Sequence, residues 1–152
     1  MTYQDDVKLF MWLGGQEYAD ELTEHPTVAA SMAEDVITCA AELHQAAVSW
    51  TRWEQTPQAL SARLLVEEVE ETLIGIVDGE IEEIADGLVD IVYIVMGIAN
   101  RYGIDFDACW SAVHSANVAK FPFGKAERDA SGKILKPEGW TPPDIAGALG
   151  IK

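Results

Sequence analysis

Ten Asp and Glu side chains fall in the 24 residues from Glu67 to Asp90, and no Lys, Arg or His falls among them. Internal salt bridges therefore cannot neutralise this stretch, and if its two acidic stripes face each other the charge needs a cation from outside. Clustered carboxylate oxygens without His or Cys suit Mg²⁺ or Mn²⁺ rather than zinc. At about 100° per residue, Leu60, Leu64, Glu67, Glu71 and Ile74 lie on one helical stripe with Glu68 flanking it. In the following segment Glu83, Asp86 and Asp90 stack with Ile94 and Gly97. Asp90 is the sharpest case, because it is the one charged residue between Leu88 and Ala99. A lone carboxylate in a buried helix is costly unless it is paired, protonated or bound to a metal. The competing reading for any single Glu here is a solvated surface charge.

These residues need two helices that face each other. Thr56-Pro57 reads as an N-cap and first-turn proline opening one helix, which Asp78-Gly79 closes. Glu80 to Tyr102 forms the next, stopped by Gly103, and so short a link makes the two antiparallel neighbours. Arg63 sits one turn before Glu67, where it pairs with Glu67 or Glu70. Upstream, Thr2 caps a short helix to Leu13 with Asp5 at its third position, and Gly14-Gly15 ends it. Val7, Phe10 and Met11 make its apolar face. A second helix is expected from Pro26 to Trp53, with Val28, Met32, Val36, Cys39, Ala40, Leu43 and Ala47 at helical spacing. His44 has no partner at ligand spacing, and Trp50 and Trp53 read as core or interface aromatics. Asp105 caps a last helix from Phe106 to about Ala119, with Phe106, Cys109, Trp110 and Val113 on its apolar side and Asn117 and Lys120 together near its end. Beyond Phe121, Pro and Gly break the periodicity, and Ser131-Gly132 turns a short hairpin. Five of the ten basic residues fall at Lys120, Lys125, Arg128, Lys133 and Lys136.

Glu67-Glu68-Val69-Glu70-Glu71 matches EExxE, and Glu83-Ile84-Ala85-Asp86 matches ExxD. With Asp90 before Ile-Val-Tyr93, the run His114-Ser-Ala-Asn117-Val-Ala-Lys120 and the tail Lys136-Pro-Glu-Gly-Trp-Thr-Pro-Pro-Asp144, the pattern resembles the all-α nucleoside triphosphate pyrophosphohydrolases. That superfamily includes MazG, the dimeric dUTPases and phosphoribosyl-ATP pyrophosphohydrolase. The similarity covers roughly Leu60 to Ile145. One departure stands out. In many members the second motif's Asp directly precedes the Leu-Leu-Tyr-like triplet, which makes it Asp90 and sets the expected Glu on Gly87. Asp86 or Glu83 then takes the vacant ligand role.

The resemblance implies Mg²⁺-dependent (or Mn²⁺-dependent) cleavage of a nucleoside triphosphate to the monophosphate and pyrophosphate, for nucleotide-pool sanitation. It implies Glu68, Glu71, Asp86 and Asp90, with Glu83 as an alternative, as metal ligands, and Glu67 as the carboxylate that orients or deprotonates water. Asn117 and Lys120 would approach sugar and phosphates, with Lys136, Arg128 and Tyr93 as further substrate contacts. The N-terminal segment would lie over the base, which brings in Phe10, Trp12 and Gln16. The implied assembly is a homodimer or homotetramer. A phosphoribosyl-ATP-type activity and a catalytically degenerate interaction module, to which Gly87 lends weight, are the alternatives. A di-iron bundle would need Glu-x-x-His pairs, which His25, His44 and His114 do not provide.

Whole-chain properties agree. The length of 152 residues suits one domain spanning 1–152, with a helical core over about 1–120 and a basic loop and tail over 121–152. The expected architecture is all-α, four to five helices with an antiparallel catalytic hairpin and an irregular C-terminal tail. Net charge of −16 disfavours nucleic acid and anionic membranes as partners. The acidic start (Asp5, Asp6) lacks a secretory pattern, the longest apolar run is too short for a bilayer, and the isolated Cys39 and Cys109 read as reduced core thiols. These point to a cytoplasmic protein.

Overall fold

In the computed structural model, which describes residues 2–24, 26–50 and 56–151, six helices and no strand are found among the described residues. They are α1 (Tyr3–Gly14), α2 (Ala30–Trp50), α3 (Pro57–Asp78), α4 (Ile81–Tyr102), α5 (Phe106–Val118) and α6 (Ile145–Ala148). The all-α expectation holds. The chain divides into two compact units, Glu21–Gly103 and Met1–Asp20 with Ile104–Lys152.

Within Glu21–Gly103, α3 packs on both α2 and α4. Its start follows from local chemistry. Thr56 accepts the Ala59 amide at 3.2 Å, and Pro57 occupies the first turn, where no amide is missed. Gly79 ends α3 at φ 73°, and Gly103 ends α4 at φ 65°, a backbone region that costs glycine little. Small residues let α3 and α4 approach closely. A Cβ at Gly87 would lie 2.2 Å from Thr72 Oγ1, and a Cβ at Gly75 would lie 3.2 Å from Glu83 Cβ and 3.3 Å from the Ile84 amide nitrogen. Contacts that step down one helix as they step up the other make α3 and α4 antiparallel.

Several expectations change here. The second helix begins at Ala30, not Pro26. The Pro26 carbonyl instead closes over Gly79, where a Cβ would meet it at 2.7 Å, so this stretch covers the α3–α4 turn rather than starting a helix. Trp53 and His25 lie outside the described residues. Cys39 is exposed and Cys109 half-buried, so neither is a core thiol. Leu88 to Ala99 is not a buried helix in the single chain. Leu88, Val89 and Val92 are 53%, 60% and 53% exposed on the side of α4 turned from α3, because three helices leave nothing to cover it. Asp90 is accordingly half-buried. The tightly buried positions are small: Ala40, Ala47, Thr72, Gly75, Gly87 and Ala99.

In the other unit α1 packs on α5. Thr2 and Asp5 form the expected capping box, whose hydrogen bonds from the Thr2 backbone and side chain hold the Asp5 carboxyl below its ordinary pKa. The Tyr3 ring lies 4.6 Å from that of Trp110 and 5.9 Å from that of Phe106, and its hydroxyl donates to Asp107. Phe10 meets the buried Phe121 edge-on at 5.2 Å. The expected turn at Ser131-Gly132 forms. Asp129 Oδ1 accepts from the Ser131 and Lys133 amides and the Ser131 hydroxyl, and Arg128 bridges to Ile134. These bonds favour the ionised Asp129 and lower its pKa.

Candidate active site

The acidic residues of α3 are sorted by the helix packing. Thr72 and Gly75 press against α4, and Glu68, one turn before Thr72, shares their stripe. Helical spacing thus puts Glu68 on the side of α3 that faces α4, with Glu67 and Glu71 flanking it. The sequence pattern placed the stripe on Leu60, Leu64, Glu67, Glu71 and Ile74, with Glu68 flanking it. Leu60 is in fact 48% exposed.

The Glu68 carboxyl has its pKa raised, first by burial and then by the negative fields of Glu71, Asp90, Asp86 and Glu67. Carboxylates of both helices thus act through space on one position. Glu68 itself has no ion pair among the described residues. Thr72 Oγ1 donates to the Glu68 carbonyl oxygen at 2.7 Å, which fixes the backbone beneath it. Glu67 is tied by Oε1 to Arg63 at 2.5 Å, the i,i+4 pair read from the sequence, and its second oxygen has no hydrogen-bond partner among the described residues. Glu70 turns to the α2 side and meets His44 Nδ1 at 3.0 Å, a partner for His44 that sequence spacing did not offer.

Gly87 has a packing cause. The space that a side chain would need is filled by Thr72, so a Glu in that register requires Thr72 to rotate or α4 to move away. Of the two candidate replacements, Asp86 acts directly on Glu68. Glu83 stands nearer the turn, where with Glu70, Glu71, Asp78 and Glu80 it lines an open cleft of about 290 Å³. Among the described residues no three Asp, Glu, His or Cys side chains converge closely enough to form a metal-binding group. The donor chemistry nonetheless fits a hard divalent cation. The charges that act on Glu68 are carboxylates, and their mutual repulsion is what a cation relieves. Tyr93 is 78% exposed on α4.

The remaining candidates belong to the other unit. Lys120 Nζ donates to Asn117 Oδ1 at 2.8 Å and lies 5.7 Å from the Phe10 ring and 5.8 Å from the Trp140 ring. Lys136 Nζ lies 4.3 Å from the Trp140 ring, and Trp140 is anchored by its indole N–H to the Ala116 carbonyl at 2.7 Å. Asn117, Lys120 and Lys136 are thus brought together around an aromatic hub. Lys120 also lines a cavity of about 200 Å³ with Lys125 and Phe123. Arg128 does not join them, because its guanidinium donates to the Gly14 and Gly132 carbonyls and clamps the hairpin to the end of α1. Trp12 is 63% exposed and Gln16 is exposed beside Gly14. Missed by sequence reasoning was a polar cluster across α1 and α5. Trp110 Nε1 donates to Asp6 Oδ2 at 2.8 Å, and His114 Nε2 lies 3.6 Å from Asp6 Oδ1. A separation of over a hundred residues carries no periodic signal.

No curated protein matches the chain. A family model described as phosphoribosyl-ATP pyrophosphohydrolase matches residues 40–117, from within α2 through the acidic helices to Asn117, which is over half of the chain. Hydrolases of this family are commonly metal-dependent. The chain belongs to the phosphoribosyl-ATP pyrophosphohydrolase family, within the MazG-like all-α superfamily, and is a nucleotide pyrophosphohydrolase, a hydrolase acting on phosphoric anhydrides.

Proposed function

We propose that this chain, acting as one domain, is a Mg²⁺-dependent pyrophosphohydrolase that cleaves a (deoxy)nucleoside triphosphate to the monophosphate and pyrophosphate, in nucleotide-pool sanitation in the cytoplasm. One observation carries the metal assignment. Glu68 lies on the stripe of α3 that faces α4, the negative fields of Glu71, Asp90, Asp86 and Glu67 act on it, and it has no ion pair among the described residues. Glu68, Glu71, Asp86 and Asp90 would hold the cation, with Glu83 as the alternative to Asp86. Mn²⁺ would substitute, since the donors are all oxygen. Such an ion, when bound, neutralises phosphate charge and acidifies a coordinated water.

The chain's own groups supply the rest. Glu67, held by Arg63 through one oxygen, keeps the other to orient or deprotonate a water. Lys120 and Lys136 stabilise nonbridging phosphate oxygens, and Asn117 positions the sugar. No helix of the described residues is long and apolar enough to cross a membrane, and the net charge of −16 disfavours nucleic acid as partner. The exposed apolar row Leu88, Val89 and Val92 is the surface we assign to a homodimer or homotetramer. A catalytically degenerate interaction module is the alternative, and pyrophosphate release from no substrate would bring it forward.

The family match favours a second substrate, phosphoribosyl-ATP. Pyrophosphate release from a panel of (d)NTPs and phosphoribosyl-ATP, with Mg²⁺, Mn²⁺ or EDTA, decides the matter. Metal-dependent release from a (d)NTP supports the proposal. Release from phosphoribosyl-ATP alone replaces its substrate, and release unaffected by EDTA removes its metal.

A further inference from the structure

Arg128 stands apart from the other basic residues of the C-terminal segment. Its guanidinium donates through Nη2 to the Gly14 carbonyl and through Nη1 to the Gly132 carbonyl. The first bond answers a need of α1. That helix carries no basic residue in its last turn, and its Met11 and Trp12 carbonyls are taken by the Gln16 and Gly15 amides. Arg128 supplies the cation that the negative end of α1 lacks. The second bond holds the tip of the hairpin, whose arms are closed from the Leu135 amide to the Glu127 carbonyl at 2.7 Å and from the Asp129 amide to the Lys133 carbonyl at 3.0 Å. Ile134, opposite Arg128, reaches the buried Gly14, where a Cβ would lie 3.4 Å from its Cδ1. The hairpin is thus fastened to α1, which Tyr3 and Asp6 anchor on Trp110 of α5.

The return arm of this hairpin runs straight into Lys136, whose Nζ lies 4.3 Å from the Trp140 ring. Glu127 and Leu135, the neighbours of Arg128 and Ile134, wall the cavity of about 200 Å³ that Lys120 lines. Bridging two carbonyls on separate segments takes the planar fork of an arginine; a lysine ammonium cannot replace it. We infer that Arg128 is a positioning residue, which fastens the hairpin to α1 so that Lys136 meets the substrate phosphates in one geometry, and which does not touch phosphate itself. The inference rests on the proposed role of Lys136 toward phosphate, and it replaces the direct contact that the sequence suggested for Arg128.

The test is a double-mutant cycle on the intact protein. It reads KM and kcat for the best-cleaved (d)NTP with Mg²⁺, and the calorimetric Kd for inorganic triphosphate with Mg²⁺. Arg128→Ala is expected to raise KM and Kd about tenfold with kcat changed less than about twofold. Arg128→Lys, which keeps the charge and loses the fork, is expected to do nearly as much. In a Lys136→Ala background Arg128→Ala is expected to add less than about threefold, because a residue that acts through another has nothing left to act on. Gly14→Leu, which wedges Ile134 from α1 and leaves Arg128 in place, is expected to raise KM and Kd as well, and reads the same fastening where Arg128→Ala fails to fold. Additive losses in the cycle, or wild-type values in Arg128→Lys, make Arg128 a phosphate contact and overturn the inference. A lowered Tm with KM and Kd unchanged makes its role structural only and also overturns it, leaving the hydrolase reading standing. The expected Kd pattern without turnover of any triphosphate supports the inference and removes that reading.

Discussion

Gly87→Ala probes how the acidic helices are held together. The added Cβ would stand 2.2 Å from Thr72 Oγ1, 3.2 Å from its Cβ and 3.4 Å from its Cα. Comfortable non-bonded contact begins near roughly 3.5 Å. Either Thr72 rotates and gives up its 2.7 Å bond to the Glu68 carbonyl, or α4 retreats from α3 by about 1 Å. Overpacking of this kind costs about 1–3 kcal/mol, and replacing helical glycine by alanine returns about 1 kcal/mol. The net loss of up to about 2 kcal/mol lowers Tm by no more than about 8 °C in a chain of this size. The effect on catalysis is larger. Glu68 lies one turn from Thr72, so the retreat separates it from Asp86 and Asp90, and a misplacement of about 1 Å costs on the order of 100-fold in rate. Steady-state pyrophosphate release, read with a thermal melt, measures both. Thr72→Ala combined with Gly87→Ala should recover most of the activity, since it removes the clashing hydroxyl. Wild-type Tm and activity in Gly87→Ala, or no recovery in the double variant when Thr72→Ala alone is active, would refute the packing argument.

Three further outcomes are expected. The folded-state pKa of Glu68 is raised above its ordinary 4.5, so its contribution to stability is fully present below pH 4.5 and is lost as pH rises through the raised value. Glu68→Gln should therefore raise the metal-free Tm at neutral pH and shrink the added stabilisation by Mg²⁺, in melts run at pH 4.5 and 7.5; a lower metal-free Tm contradicts this. Trp140→Leu removes the bond to Ala116 and the ring beside Lys120 and Lys136, and should raise KM for the triphosphate about tenfold with a smaller change in kcat. Val92→Asp puts a charge in the exposed apolar row of α4 and should halve the mass seen by sedimentation, whereas an unchanged mass places the subunit contact elsewhere.

What the sequence disclosed was mostly local. Thr2, Thr56 and Asp105 cap helices because a short polar side chain reaches an amide three residues on, and Gly79 and Gly103 end them by adopting a left-handed turn. The antiparallel hairpin followed from the brief Gly79-Glu80 link. The face by which α3 meets α4 was hidden because the approach runs through Thr72 and Gly75, small residues that a hydrophobic stripe does not pick out. Gly87 read as a missing ligand until its contact with Thr72 was seen. Arg128 read as a phosphate group, but a hairpin 114 positions from Gly14 claims it. The start of α2 and the open side of α4 both depend on what covers them, which periodicity does not encode.

The most direct measurement is metal-dependent pyrophosphate release by Glu71→Ala and Asp90→Ala, one substitution on each acidic helix, with circular dichroism to check the fold. The account predicts turnover reduced to background in both variants with helicity retained. Retained turnover in both would contradict the carboxylate centre between α3 and α4.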